Sequence, residues 1–394
     1  MTKEVLDSLL EAMLQSSDGI SDLLFVAGKP PVTEQYGTLS EFPIDNPGSV
    51  LTPKLVEEIA TRIINGNARL LADFATAGSC DCAYSLEKLA RFRVNIFKQN
   101  GRHAIVMRKL QSEIPTLDGL RLPPIFRQMI QEKNGIVFVT GSTGSGKTTT
   151  LAAMLNELNH TQDIHVVTLE DPIEFFHSHK RCIFSQRELG KDFPDFANGL
   201  RAALRQAPKV ILVGEIRDRA SMEIAMTASE TGHLVFTTLH TINAGQTINR
   251  ILGMFSKEEE QQLRQRLADT VRYIVSQRLV SKIGGGRLLV TEIMGSSLRT
   301  RESLLYGESE NRTFQEIIEA GSVGGWHSFD QSLLKAYEAG LITEDTATIF
   351  CTHKNKMSRD LDMLKKLRGA AFAEMPSGLK LENGIGTASM ALVQ

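Results

Sequence analysis

Four cysteines in 394 residues (Cys80, Cys82, Cys182, Cys351) are too few and too scattered for a disulfide framework or a paired zinc site. The Cys80-Asp-Cys82 pair has no second pair and no nearby histidine to complete a metal site. Long apolar runs are missing as well: the longest span four or five residues, as at Ile136–Val139 and Val210–Val213. A membrane-spanning helix needs about 20, so none is expected. The N-terminus, MTKEVLDSLLEAMLQ, carries acids inside its apolar pattern and does not read as a signal peptide. Excess charge of either sign is absent, with 44 Lys+Arg against 46 Asp+Glu. That balance argues against a protein that coats DNA or RNA, since such affinity needs surplus cations on phosphates. The chain reads as cytoplasmic, with no nucleic-acid partner.

What is present is the composition of a folded protein, 42% hydrophobic and 23% charged. The length fits two compact units with room for a small third. Residues 4–14 place Val5, Leu6, Leu9, Leu10, Met13 and Leu14 on a helical stripe. Short alternating segments follow at 22–27 and 32–42, and 81–97 alternates like paired strands around a turn. The region 1–112 is therefore expected to be a small α+β domain. Pro115, Gly119 and Pro123-Pro124 punctuate an expected linker at 113–124.

Beyond it, β-branched runs at 136–140, 164–169, 210–213, 234–237 and 288–293 are separated by helical stretches. They predict an α/β unit at 125–295 built on a mainly parallel, buried sheet. Residues 296–367 read as helical, and 368–394 as a loose tail. Residues 256–280 set Leu263, Leu267, Val271, Ile274 and Leu279 on one face, with arginines elsewhere, which predicts a single packed helix. Trp326, the one tryptophan, reads as a packing anchor.

The sharpest signal is Gly141-Ser142-Thr143-Gly144-Ser145-Gly146-Lys147-Thr148, followed by Thr149, which fits G-x-x-x-x-G-K-[ST]. Glycines let successive backbone N–H groups wrap around phosphate oxygens. Lys147 offers charge to the β- and γ-phosphates, the Thr148 hydroxyl can ligate Mg²⁺, and a helix N-terminus backs the anion. A buried-strand pattern precedes the motif, and a helical pattern carrying Leu151, Met154, Leu155 and Leu158 follows it. That strand–loop–helix order predicts a nucleoside triphosphate site. No N-K-x-D segment exists (Asn355-Lys356 is followed by Met-Ser), which favours ATP over GTP.

Hydrolysis of a bound triphosphate needs an acid near Mg²⁺ and a group to orient water. Glu215 ends the apolar run at 210–213, 68 residues past Lys147, and is the expected support of the metal, directly or through water. Glu170, Asp171 and Glu174 crowd three carboxylates into five residues, which repel unless cations or donors offset them. Glu174 is the expected water-orienting residue. His233 and His240 flank the apolar strand pattern at 234–239 and can donate to a phosphate or sense its loss.

The ordered set GSTGSGKTTT, TLEDPIEF, ILVGEIRD, TGHLVFTTLHT and GGGR closely resembles the type II/type IV secretion-system ATPase superfamily, in its type IV pilus retraction branch (PilT/PilU type). SDLLFVAGKPP and LARFRVNIFKQN in the first region resemble that branch too, and the likeness covers roughly 5–365. The resemblance implies a PAS-like N-terminal domain joined to a RecA-like P-loop ATPase domain, assembled as a homo-hexamer that uses ATP and Mg²⁺. It implies that Arg91, Arg93 and Arg108 reach the nucleotide phosphates, and that His233 and His240 form the histidine box. It further implies an inner-membrane platform protein as partner, at the base of the pilus machine.

Extension ATPases of the superfamily tend to carry longer N-terminal regions and a four-cysteine zinc motif. Here the loop begins at 141 with no such cysteine set, which favours retraction. The sequence departs from the branch at Arg205–Lys209, where acids are usual, and at Leu298–Leu305, where an AIRNLIRE-like stretch is common. An accessory ring docked on a paralogous retraction ATPase, with little hydrolysis of its own, or the ATPase of a related secretion system, stays open.

Overall fold

The computed structural model describes residues 1–43, 50–86, 89–110, 113–310 and 312–374, with side chains to 367. The chain opens with helix α1 (Lys3–Gln15), begun by the Thr2 hydroxyl accepting from the Val5 amide, and buries Leu6, Leu10 and Met13. Strands β1 (Ile20–Val26), β2 (Val32–Gln35) and β3 (Thr38–Glu41) follow, then helices α2 (Pro53–Ile64) and α3 (Ala68–Ala77), then β4 (Ser79–Leu86), β5 (Ala90–Gln99) and β6 (Arg102–Lys109). All pairings among these strands are antiparallel, in the order β3-β2-β1-β6-β5-β4. The alternation expected of 81–97 is visible on β5, where Phe92, Val94 and Ile96 are buried against the helices while Arg91 and Arg93 face the other way.

The segment 113–124 is not slack, because Leu117 and Leu122 are buried in the core of the second domain. Helix α4 (Ile125–Met129) leads into β7 (Gly135–Thr140), α5 (Lys147–Thr161), β8 (His165–Glu170), β9 (Ile183–Glu188), α6 (Phe196–Ala203), β10 (Val210–Val213), α7 (Arg219–Glu230), β11 (Leu234–Leu239) and α8 (Ala244–Leu252). Then come α9 (Glu260–Thr270), β12 (Val271–Ser281) and β13 (Arg287–Gly295). The seven strands run β13-β12-β7-β11-β10-β8-β9, parallel except for the antiparallel β12–β13 hairpin at one edge. Both faces are covered: Ile136 and Phe138 enter one core, Val137 and Val139 the other.

The single helix expected at 256–280 is corrected by the structure. It stops at Thr270, and from Val271 the chain becomes a strand beside β7. Apolar side chains at 271, 274 and 275 satisfy a helical count, but Val271-Arg-Tyr-Ile-Val is rich in β-branched and aromatic residues. Pairing with a buried strand decides the outcome. Strand β9 was not anticipated either, because Ile183–Glu188 is half polar and lies at the sheet edge.

Five helices follow: α10 (Leu298–Tyr306), α11 (Phe314–Ala320), α12 (Phe329–Glu338), α13 (Glu344–Phe350) and α14 (Lys354–Glu374). Around Phe329, Leu333, Met357 and Leu361 the last three form a small core that also takes in Val280 and Val290 of the hairpin, while Leu304 of α10 and Phe314 and Ile318 of α11 join the core on one face of the seven-stranded sheet. Trp326 packs against Gly295 and Gly321, the anchoring role expected of it. Of the tail expected from 368, α14 extends as far as Glu374, and 375–394 lie outside the described residues. Among the described residues no helix is long and apolar enough to cross a membrane.

Candidate nucleotide site

The loop 141–146 leaves the C-terminal end of β7 and delivers Lys147 as the first residue of α5. Gly141 has φ +146°, and a Cβ there would collide with the Ser145 side chain and the Gln277 carbonyl, so only glycine lets the loop double back. Gly146, at φ +91°, gives α5 a left-handed start. The loop rests on a buried polar layer. Thr140 Oγ1 donates to Ser276 Oγ (3.0 Å), and Gln277 Nε2 donates to Thr150 Oγ1 (2.8 Å). Lys147 is buried, its Nζ donating to the carbonyls of Gly141 (2.8 Å) and Ser142 (3.0 Å). Burial holds its pKa below the ordinary lysine value, and Glu215 and Glu174 oppose that shift.

One cavity of about 630 Å³ lies against this loop, a size within the range of small-molecule sites. Thr143, Gly144, Gly146, Lys147, Thr148 and Thr149 line it, together with Glu170, Asp171, Glu174, Glu215 and His240. Arg93 and Arg108 reach it from β5 and β6 of the first domain. Parallel strands deliver the acids: β8 ends at Glu170, β10 ends two residues before Glu215, and β11 ends just before His240. A crevice at the carboxyl ends of such strands is where an open α/β sheet takes its ligand.

Within the cavity the acids differ. Burial pushes the Glu170 carboxyl up to about 7, although it accepts from Thr168 Oγ1 (2.6 Å) and Gln186 Nε2 (3.3 Å). Burial also raises Glu174, whose carboxylate is supported by Arg93, by a hydrogen bond from the Thr148 hydroxyl and by Lys147. Asp171 is raised for the same reason, with Arg93 and Arg217 opposing. Glu215 makes a close ion pair with Arg217 and lies 3.4 Å from His240 Nε2. Thr148, Glu174 and Glu215 present hard oxygen donors, which suit magnesium. No cluster of three or more His, Cys, Asp or Glu among the described residues could hold a metal by itself. A cation here would therefore draw most of its ligands from phosphates and water.

Some expected residues lie elsewhere. His233 is at the opposite end of β11, its Nδ1 2.9 Å from the Ala228 carbonyl, and does not line this cavity. A strand rising about 3.3 Å per residue puts it roughly 20 Å from His240. Arg91 does not line the cavity either. Its guanidinium bonds the Ile173 carbonyl and the Glu188 carboxylate and lies 4.6 Å over the Phe176 ring, tying the first domain to the second. Arg108 is held by Asp22 at 2.9 Å. Among the described residues only Arg93 of these three arginines has no hydrogen-bonding partner. Gly141, Ser142 and Ser145 form the back of the loop, not the cavity wall.

Residues 80–303 match the family model described as type II/IV secretion system protein. The chain belongs to that family. Within the family it is 39% identical to the type IV pilus retractation ATPase PilT of Pseudomonas aeruginosa, over 84% of this chain and 94% of that one. It is 35% identical to the type IV pilus ATPase PilU of the same organism, over 95% and 96%. A solved structure of the pilus retraction motor PilT with bound ADP superposes with a TM-score of 0.79 at 36% identity, covering 90% of this chain and 99% of that one. The chain thus sits with the PilT-like members, and the α/β second domain, the preceding domain and the helical C-terminus share their architecture.

Sequence reasoning did not find Gln277. Inside the helical pattern of 256–280 nothing marks it as a strand residue bonded to α5 beside the phosphate loop. A run alternating Val275, Gln277 and Leu279 against Ser276 and Arg278 would have been the signal. Arg287, the last residue of GGGR, also lines the cavity.

Proposed function

We propose that this chain is an ATP-hydrolysing motor that powers retraction of a type IV pilus. The supporting observation is one cavity that gathers a phosphate loop, four carboxylates of the same domain and two arginines of the neighbouring one. Backbone N–H groups of 144–149 and the Lys147 ammonium take the β- and γ-phosphates. Thr148 and Glu215 hold magnesium, which supplies charge neutralisation on the phosphates. Glu174 orients the attacking water and takes up its proton. Glu170, kept largely protonated below neutral pH by burial, limits repulsion at the crowded acidic turn. Arg93 offsets charge that builds on the transferred phosphoryl group, and Arg108 joins it by exchanging Asp22 for phosphate.

Because these arginines come from residues 1–112 and the loop from 125–295, turnover couples to movement between the two units. Ligand contacts that differ between two arrangements drive such closure. In this reading six copies form a ring on the cytoplasmic side of the inner membrane and act on a platform protein there. His240 follows the state of Glu215. A second reading, an accessory ATPase of the same machine, is favoured by the match to PilU extending over 381 residues.

The test is a clean deletion scored for twitching and for surface pili, complemented by wild type and by Lys147→Ala, alongside phosphate release by the purified chain. Hyperpiliated, immotile cells rescued only by wild type support the motor. Normal motility supports the accessory reading, and absence of ATP hydrolysis by the purified wild type counts against the motor.

A further inference from the structure

Between β8 and β9 the chain makes the turn that carries Asp171 and Glu174, and among the described residues no backbone–backbone hydrogen bond involves 171–177. Buried backbone polar groups need partners, and side chains of β9 supply them. Alternate residues of a strand face the same way, so Phe184, Gln186 and Glu188 share one face. The Phe184 ring stacks on that of His177, with centroids 4.6 Å apart. Gln186 Oε1 accepts from the His177 amide (2.8 Å), while its Nε2 donates to the Phe175 carbonyl (2.8 Å) and, at longer range, to Glu170 Oε1 (3.3 Å). Glu188 Oε2 accepts from the Ile173 amide (3.3 Å) and from Arg91, which also donates to the Ile173 carbonyl.

As β9 ascends through 184, 186 and 188, the turn descends over it through 177, 175 and 173. Ile173, Phe175 and His177 are buried, whereas Glu174 lines the nucleotide cavity. The Glu174 side chain thus projects from between two residues whose backbones are held by β9. No ladder stiffens this stretch, and repulsion from Glu170 and Asp171 would otherwise push its carboxylate aside.

We propose that Gln186 and Glu188 are positioning residues for Glu174: they pin the backbone of the turn and so set where its carboxylate stands against the bound phosphates. This role rests on the reading of Glu174 as the group that orients water. Neither Gln186 nor Glu188 lines the cavity, so neither touches the nucleotide, and their effect passes through the turn. Misplacing a reacting group by about 1 Å costs on the order of a hundredfold in rate. Nucleotide affinity, set by the phosphate loop, is untouched by that displacement.

Phosphate release by the full chain over a range of ATP concentrations tests this. Gln186→Met keeps the length of the side chain and removes its amide, and is expected to lower kcat about ten- to hundredfold with KM within about twofold of wild type. Glu188→Gln retains an acceptor for the Ile173 amide and loses only the charge facing Arg91, so it is the milder variant and should show the same split at smaller size. Added to Glu174→Gln, Gln186→Met should cost no further turnover, because the group it positions is already gone. Thermal unfolding of each variant shows that the assays read folded protein. A merely structural contact would lower the unfolding midpoint and leave kcat of the folded protein unchanged, which overturns the proposal. A loss carried in KM overturns it as well, as does an undiminished further loss in the Glu174→Gln background. Wild-type turnover by Glu174→Gln itself would instead remove Glu174 from its role, and the proposal with it.

Discussion

The Lys147 ammonium donates to the carbonyl oxygens of Gly141 and Ser142, at 2.8 and 3.0 Å, within the loop it belongs to. The cation is thus stored against neutral acceptors of its own loop, and burial makes its charge costly there. Arriving phosphates give that charge a partner. Lys147→Ala is therefore expected to lower ATP turnover by at least about a hundredfold, the scale of removing a main stabiliser of developing charge. Stability without nucleotide should change little, because the cost of burying the cation disappears together with its two bonds to the loop carbonyls. Phosphate release and urea unfolding of the same variant check both halves.

Glu174→Gln separates binding from chemistry. The amide keeps the size of the carboxyl and can still accept from Thr148, but it cannot take a proton from water. Turnover should fall by about 10²–10⁴ while ATP affinity stays within a few-fold of wild type. Comparable losses in both would remove Glu174 from the water-orienting role.

Arg91 and Arg93 sit two residues apart on β5, yet opposite outcomes are expected of them. Arg91 pairs with Glu188, and both side chains are about nine-tenths buried, at 12% and 11% exposure. Arg91→Ala strands that carboxylate and should destabilise the fold by about 3 kcal/mol. Arg93 has no such partner and faces the acids, so Arg93→Ala should leave the unfolding midpoint nearly unchanged and cut turnover. Thermal unfolding and phosphate release on the two variants decide it, and a stability loss in Arg93→Ala alone would reverse the assignment.

Much of this site is written in local sequence. The loop 141–149 and the acids at 170, 174 and 215 lie at the ends of apolar strand runs, and parallel packing then forces those ends to one edge of the sheet. His233 shows what local pattern omits. It flanks the same strand as His240, but the two ends of a strand lie on opposite edges, so the pair parts. Arg91, Arg93 and Arg108 form a second case. Their residue type suits phosphate, whereas Asp22 and Glu188, far away in the chain, determine which of them is free. The strand at 271–281 was hidden because its apolar positions also satisfy a helical count, and only the neighbouring β7 selects between the two.

Glu292 offers a pH test away from the acidic flank. This β13 residue is 2% exposed, accepts from the Ala244 amide at 3.0 Å, and burial pushes its carboxyl up to about 7, with Arg278 partly opposing. In the unfolded chain it titrates near 4.5. Between those values the folded protein holds a proton that the unfolded chain has released, so this group favours folding less and less as pH rises from about 4.5 to about 7. Above that range the full cost of a buried carboxylate is present. Glu292→Gln keeps an acceptor for Ala244 and removes the titration. The variant is expected to be more stable than wild type at pH 8 by about 3 kcal/mol, read as a higher urea midpoint, with the advantage shrinking towards pH 5. Because α8 begins four residues after His240, the same variant should retain ATP turnover if the Ala244 bond survives. A stability gain that does not vary with pH would show that Glu292 does not titrate in this interval.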